Sequence, residues 1–185
     1  IFDEIQSGFG RTGKLFAYEH YDVEADLVCC GKGISSGLPL SAVLGRKELI
    51  DVDPSLNSTH GGNPICCAAT LASLEVLQDE NLISESARKG LLLEKELIKI
   101  KNKYEDRIEI FGKGLVYAIH VKKSGTKEYD VEIVDRIIEK SMQKGVLLIR
   151  TGTGTIKIGP PLTIFDDALL EGVSVIDESI SECFS

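Results

Sequence analysis

The chain has 185 residues, 43% of them hydrophobic and 27% charged, with a formal net charge of −8 and an isoelectric point near 5.0. An acidic surface does not attract nucleic acid or anionic membranes, so neither is an expected partner. No apolar run approaches the roughly 18 residues of a membrane span. The five cysteines and three histidines lack metal-ligand spacing. They predict reduced thiols in a cytoplasmic protein without a metal site.

Short apolar runs separated by loops predict strands and then helices in the first part of the chain. Three strands are expected at residues 1–5, 26–30 and 40–45. Because proline fits the first turn of a helix, a helix is predicted from Pro64 to about Gln78. A second helix, from Asn81 to about Lys103, has a broad apolar stripe.

The second part of the chain is predicted to be α+β, with strands that meet by hairpins. The expected elements are strands 108–111 and 115–121 around a turn at 112–114, a helix at about 130–144, strands 146–150 and 155–159, and a helix at about 166–182. Asp130 is placed to cap the first of these helices. Thr151–Thr155 could cradle a phosphate, but no helix follows it, so a hairpin tip is the better interpretation.

Lys32 is the first residue that suggests chemistry. It lies between Gly31 and Gly33, directly after the predicted strand 26–30. Lysine is ordinarily a hydrated surface residue, but a desolvated lysine amine has a lowered pKa and can act as a nucleophile or form a Schiff base. A solvated loop lysine is the simpler interpretation of this segment alone, and the neighbouring motifs decide between the two.

Asp3 lies near the end of the first predicted strand, and apolar residues flank the pair that it forms with Glu4. A carboxylate buried there must be paired or hydrogen-bonded. A lysine that forms an imine with an aldehyde and an acid that faces a pyridinium nitrogen are the two contacts that pyridoxal 5′-phosphate (PLP) requires. Asp3 and Lys32 would supply both. Two strand ends need not be neighbours, so the sequence leaves their pairing open.

Residues 8–13 also match G-x-G-x-x-G, the fingerprint of dinucleotide binding. That motif must lead into a helix whose N-terminus receives the pyrophosphate. Residues 14–22 are aromatic and show no long helix. Nicotinamide or flavin binding is therefore disfavoured.

Four segments of the chain resemble the class III PLP-dependent aminotransferases. Residues 3–13, which begin Asp-Glu-Ile-Gln-Ser-Gly, look like the segment that opens the active site of that family. The other three are similar to its Schiff-base lysine segment, its phosphate-binding turn and its C-terminal signature, at residues 31–42, 58–64 and 160–164. Because all four agree in order and spacing, the chain is identified as a member of this family.

The resemblance implies an α/β protein with the fold of type I PLP-dependent transferases. Residues 1–104 would form the C-terminal part of the large PLP-binding domain with its connecting helices, and residues 105–185 the small C-terminal α+β domain. Family members are longer than this chain, so the resemblance implies the C-terminal part of a larger enzyme. We expect residues 1–185 alone to bind PLP poorly, to lack activity and to associate.

The resemblance also assigns roles to site residues. Lys32 would be catalytic, holding PLP through a Schiff base and moving the proton of the substrate carbon. Asp3 would pair with the pyridinium nitrogen, and Gln6 would hydrogen-bond near the phenolic oxygen of the ring. Thr59 would bind the phosphate in the site of the neighbouring subunit, which implies a homodimer with shared active sites. The alternatives are an exposed loop residue for Gln6 and a loop threonine ahead of a helix for Thr59.

The substrate side of the chain departs from the family pattern. Many members have an arginine just before the C-terminal signature, where it binds the substrate carboxylate, and this sequence has Lys157. Lysine supplies a point charge rather than a planar fork, so the exchange is not neutral. Arg150 could substitute. The amino donor therefore stays open among 4-aminobutyrate-like, ornithine-like and diamino-acid compounds.

The function implied by the resemblance is PLP-dependent transfer of an amino group from an amino acid or amine to a keto acid. An amino-acid racemase or epimerase that uses the same Lys32 is one alternative. An inactive fragment without cofactor is the other.

Overall fold

A computed structural model describes residues 1–53, 55 and 58–184. The chain divides into two compact units, Ile1–Ala87 and Arg88–Ser185. This division falls inside a long helix rather than after it, because the C-terminal part of that helix packs into the core of the second unit. The domain boundary predicted at 104/105 stays a prediction.

The first unit contains a three-stranded sheet. Its strands are β1 (Phe2–Asp3), β2 (Leu27–Cys30) and β3 (Ala42–Gly45), in the order β1-β2-β3. β1 pairs with β2 in parallel, and β3 is antiparallel to β2. The first strand is shorter than the predicted 1–5, because the chain turns after Glu4, whose carbonyl accepts a hydrogen bond from the N–H of Gly8 (3.0 Å).

The helices that begin in the first unit are α1 (Lys47–Ile50), α2 (Pro64–Asp79) and α3 (Leu82–Lys103). The short helix α1 and two 3-10 turns, at Ala17–His20 and Lys32–Ile34, were not predicted. The predicted start of α2 is confirmed. Pro64 is its first residue, and the side chain of Asn63 caps it by accepting from the N–H of Ile65 (3.0 Å) and of Cys66 (3.4 Å).

The second unit is an antiparallel sheet with helices. Its elements are β4 (Ile108–Lys113), β5 (Val116–Val121), α4 (Val131–Gln143), β6 (Ile149–Thr151), β7 (Thr155–Ile158) and α5 (Asp166–Phe184), and the strand order is β4-β5-β7-β6. The predicted hairpins and the Asp130 cap are confirmed. The turn expected at 112–114 is wrong in part, because Lys113 still pairs with Val116 and only Gly114 and Leu115 connect the strands.

One face of this sheet and the helices α4 and α5 enclose the core of the second unit. Side chains alternate along β5 and β7, so every second residue is buried. The C-terminal part of α3 adds three apolar side chains to the same core. The most deeply buried members are Leu93, Leu97, Ile108, Leu115, Ile119, Val121, Val134, Ile137, Ile156 and Ile180.

Two features that would indicate particular partners are absent from the part of the chain that the structure describes. Among the helices in that part of the chain, none combines the length and the apolar character needed to cross a membrane. Over the same residues, no group of three or more His, Cys, Asp or Glu side chains is arranged to hold a metal ion.

Gly90 gives a stability test of the second unit. A Cβ atom at Gly90 in α3 would lie 2.5 Å from the Cα of Gly114. Because that contact is with backbone, we expect Gly90→Ala to lower the free energy of unfolding by about 1–3 kcal/mol. Gly172, inside α5, is the matched control: a Cβ there meets nothing within 4 Å. Gly172→Ala should be neutral or stabilising by up to about 1 kcal/mol. Equal stabilisation by both, measured in chemical denaturation, would contradict the close approach.

Candidate active site

The parallel pairing of β1 and β2 brings the two main candidates to one edge of the sheet. Phe2 lies opposite Val28 and Asp3 lies opposite Cys29. β2 ends at Cys30, and only Gly31 separates it from Lys32. The carboxyl ends of parallel strands open at the same edge, which is where α/β sheets bind ligands. Asp3 therefore ends β1 and Lys32 follows the end of the neighbouring strand β2, the arrangement that the sequence had left open.

Lys32 occupies a tight turn and is exposed within this chain. Its φ is +42°, in the left-handed region that residues with a Cβ seldom adopt. The turn closes with a hydrogen bond from the N–H of Ile34 to the carbonyl of Gly31 (3.1 Å). This turn therefore fixes the backbone position from which the Lys32 side chain extends.

The glycines on either side of Lys32 let its turn pack on the segment that follows Asp3. A Cβ at Gly31 would lie 3.1 Å from Cγ2 of Ile5, and a Cβ at Gly33 would lie 3.3 Å from Cβ of Phe9. Both distances are tighter than ordinary side-chain contacts. Larger residues at either position would separate the two segments of the site.

Asp3 is exposed in this chain, so the expectation that its carboxylate is buried is wrong. Side chains alternate between the faces of a strand, so neighbouring residues point in opposite directions. The buried acid is the next residue, Glu4. Oδ1 of Asp3 accepts a hydrogen bond from the N–H of Ile5 (3.0 Å), which orients the carboxylate at the start of the turn.

Glu4 is the residue that sequence reasoning missed. It is only 2% exposed. It also lies close enough to β2 to act on Cys30, where burial raises the pKa of the thiol and the charges of Cys29 and Glu4 raise it further. The signal available in the sequence was the alternation that begins at Phe2, which assigns Phe2 and Glu4 to one face and Asp3 to the other.

Gln6 and Thr59 both lie in exposed turns of the first unit. Gln6 belongs to the turn that follows β1. Thr59 belongs to the turn closed by the N–H of Gly61 and the carbonyl of Ser58 (2.9 Å), ahead of α2. α2 contacts the 3-10 turn that contains Lys32. The cofactor roles of both residues stay predictions.

Lys157 lies on β7 of the second unit, opposite Ala118 of β5 and Ile149 of β6. It is half-buried on the face of the sheet away from the core. Arg150 is engaged elsewhere, because its Nε donates to Oδ1 of Asp135 (2.7 Å) and its guanidinium also donates to the carbonyl of Gly152 (3.3 Å). Arg150 is therefore already paired, and the substrate role of Lys157 stays a prediction.

The side chains at the β1–β2 edge suit PLP. An exposed carboxylate ends β1 and an exposed amine follows the end of β2, and these match the ring nitrogen and the aldehyde of the cofactor. The hydroxyl of Thr59 and the turn before α2 offer donors of the kind that bind phosphate. Lys32, Asp3 and Gln6 would hold the group, and Thr59 would hold the phosphate of the group in the neighbouring subunit.

Known proteins match nearly the whole chain. The family model for aminotransferase class-III matches residues 1–180. A 4-aminobutyrate aminotransferase of Mycobacterium leprae is 37% identical over 187 residues, which cover 98% of this chain and 42% of that protein. A leucine/methionine racemase of Thermococcus litoralis is 36% identical over 183 residues, covering 97% of this chain and 41% of that protein.

The fold matches as well. The crystal structure of acetylornithine aminotransferase from Elizabethkingia anophelis has a TM-score of 0.85 and 36% sequence identity, covering 97% of this chain and 44% of that one. The predicted α/β architecture of fold type I is confirmed. This chain spans less than half the length of each of these proteins.

The backbone at Lys32 gives a test that needs no cofactor. A residue with a Cβ in the left-handed region costs about 1–2 kcal/mol, and glycine does not carry this cost. We expect the apoprotein with Lys32→Gly to be more stable than that with Lys32→Ala by about 1 kcal/mol. Both variants lack the amine, so Lys32→Ala is the control for its loss. Equal stability in urea denaturation would show that the turn does not hold residue 32 in this conformation.

Proposed function

Because the chain belongs to the class III aminotransferases, as its four motifs predicted, we propose that it carries catalytic residues of a PLP-dependent aminotransferase. The substrates would be an amino acid or amine as donor and a keto acid as acceptor. The observation that carries the proposal is that Asp3 ends β1 while Lys32 lies just beyond the end of the parallel strand β2.

Lys32 would act twice with one amine. PLP supplies an aldehyde that reacts with amines and a ring that draws electron density from the substrate's alpha carbon. The Lys32 amine would hold that aldehyde. As a free amine, Lys32 would also move the proton of the substrate's alpha carbon. A long, unbranched side chain on a fixed turn suits both tasks.

The other three residues would orient the cofactor. The Asp3 carboxylate would hold a proton on the ring nitrogen, which keeps the ring electron-poor. Gln6 would donate a hydrogen bond near the phenolic oxygen, and Thr59 would bind the phosphate through its hydroxyl and backbone N–H. In the family pattern Thr59 serves the neighbouring subunit, so we propose a homodimer with shared sites.

We propose a cytoplasmic enzyme that acts on small molecules and binds neither nucleic acid nor membrane, in keeping with its net charge of −8. We also propose that residues 1–185 alone are inactive. The support is the exposure of both Asp3 and Lys32, because water would screen their charges and compete for the cofactor.

Lys157 would bind an anionic group of the substrate as a point charge. Similar proteins are named for 4-aminobutyrate and for acetylornithine. Both compounds have a free amine at the end of a carbon chain and a carboxylate at a distance from it. We propose a donor of this kind.

Racemisation is the second candidate function, favoured by the similarity to the leucine/methionine racemase. The two activities separate in one assay, in which an intact enzyme containing this segment receives a single-enantiomer amino acid without a keto acid. A racemase would continue to turn over, whereas an aminotransferase would stop after half a cycle.

The proposed function predicts which lysine PLP attaches to, and this can be tested directly. We expect borohydride reduction of an intact enzyme loaded with PLP to fix a pyridoxyl group on the peptide that contains Lys32, detected by mass spectrometry. Lys32→Ala should remove this label and abolish turnover while the far-ultraviolet circular dichroism stays unchanged. Lys47→Ala, at an exposed lysine of α1, is the control. A label that persists in Lys32→Ala, or near-native transamination, would contradict the assignment.

Asp3→Asn should damage catalysis far more than cofactor binding. The phosphate contacts would remain, whereas the charge that holds a proton on the ring nitrogen would be lost. We expect alpha-proton abstraction to slow by about 100-fold or more, with the dissociation constant of PLP changing less than about tenfold. Stopped-flow absorbance measures the first quantity and equilibrium titration the second. Unchanged proton abstraction would disprove the role.

A further inference from the structure

Glu4 is a buried carboxylate with a built set of hydrogen-bond partners. It is 2% exposed. Its Oε2 accepts from the hydroxyl of Ser7 (2.5 Å), and its Oε1 accepts from the backbone N–H of Tyr18 (2.9 Å). A buried carboxylate is unfavourable unless such donors satisfy it. Each oxygen therefore has its own donor, and the donors come from two different segments of the first unit.

The backbone of Glu4 is fixed on both sides as well. Its N–H donates to the carbonyl of Cys29 (2.9 Å), which continues the β1–β2 ladder one residue beyond Asp3. Its carbonyl accepts from the N–H of Gly8 (3.0 Å), and a Cβ at Gly8 would lie 2.8 Å from that oxygen. Glu4 thus joins the end of the strand to the turn that contains Gln6.

Tyr18, the second donor to Glu4, belongs to a small aromatic block formed by Phe2, Phe16 and Tyr18. Tyr18 stacks on Phe2 (centroids 5.4 Å apart) and on Phe16 (5.9 Å). The N–H of Phe16 donates to Oε1 of Glu19 (2.7 Å), which closes the 3-10 turn at Ala17–His20. The Glu4 carboxylate is therefore anchored to a turn that has its own packing.

We propose that Glu4 is a positioning residue that fixes the directions of the Asp3 carboxylate and of Gln6. The inference rests on the proposed function, in which both residues contact PLP. Adjacent strand residues face opposite sides, so holding Glu4 against the aromatic block prevents rotation of the strand end and points Asp3 to the other face. A carboxylate suits this task because its two oxygens accept two donors at once, whereas a glutamine side chain has one acceptor oxygen.

The test compares Glu4→Gln with Glu19→Gln in an intact enzyme containing this segment. Both glutamates accept a backbone N–H in the same region, but only Glu4 is joined to Asp3. In the apoprotein, we expect Glu4→Gln to raise amide exchange at Ile5 and Gly8 by about tenfold, as hydrogen bonds that open locally exchange faster. Glu19→Gln should leave both amides unchanged.

With PLP bound, we expect kcat to fall about 10- to 100-fold in Glu4→Gln with KM nearly unchanged, since small misplacements of catalytic groups are costly. The pH midpoint of the visible absorbance should also shift by about half a unit or more, because the charge near the ring has moved. The decisive midpoint is that of Ser7→Ala, which keeps the Glu4 charge: a purely structural role would lower its melting temperature without moving the midpoint. Glu19→Gln should show neither effect.

Native exchange at Ile5 and a native absorbance midpoint in Glu4→Gln would overturn the proposal. If Glu4→Gln does not fold, Ser7→Ala removes one of the two donors and keeps the carboxylate. It should show the same changes at smaller size, and native values would again overturn the proposal. A different result is expected if the proposed function itself is wrong. The unmodified protein would then not bind PLP, but amide exchange at Ile5 would still depend on Glu4.

Discussion

The parallel ladder between β1 and β2 is the contact on which the site depends. It is short, with Phe2 opposite Val28 and Asp3 opposite Cys29, and the N–H of Glu4 extends it by one bond. A shift of one residue in a strand exchanges the two faces. Here such a shift would turn the Asp3 carboxylate to the buried face and the Glu4 carboxylate to the exposed face. The hydrogen bonds of Glu4 therefore hold the register of β1, and that register in turn keeps Glu4 buried.

A second constraint comes from the backbone around Lys32. The positive φ of this residue is unfavourable for a side chain with a Cβ, and the flanking glycines have little room for one. Strained backbone of this kind persists only where the surrounding structure enforces it, and it is common at functional sites. The packing of Gly31 on Ile5 and of Gly33 on Phe9 supplies that enforcement. The strained backbone lowers the stability of the turn, and the same turn fixes the position of Lys32.

The sequence predicted those features that depend on local signals. Pro64 and Asp130 mark helix starts that the structure confirms, and the family motifs located the candidate residues without any structure. Features that depend on pairing between distant segments were predicted less well. Asp3 was expected to be buried because apolar residues flank it, but the register with β2 assigned that burial to Glu4. In the same way, pairing with Val116 extended β4 through a glycine that locally indicated a turn.

The proposed substrate role of Lys157 is supported by the residues around it in the second unit. Lys157 lies between Ala118 and Ile149 across the sheet, so its nearest strand partners offer no charge to neutralise it. Arg150 has already formed an ion pair with Asp135, and recruiting it would require breaking that pair. Under the proposed function, an anion that arrives with the substrate would supply the missing opposite charge. Because an ammonium holds a carboxylate without the fixed fork of a guanidinium, Lys157 would tolerate substrates whose carboxylate lies at different distances from the reacting amine.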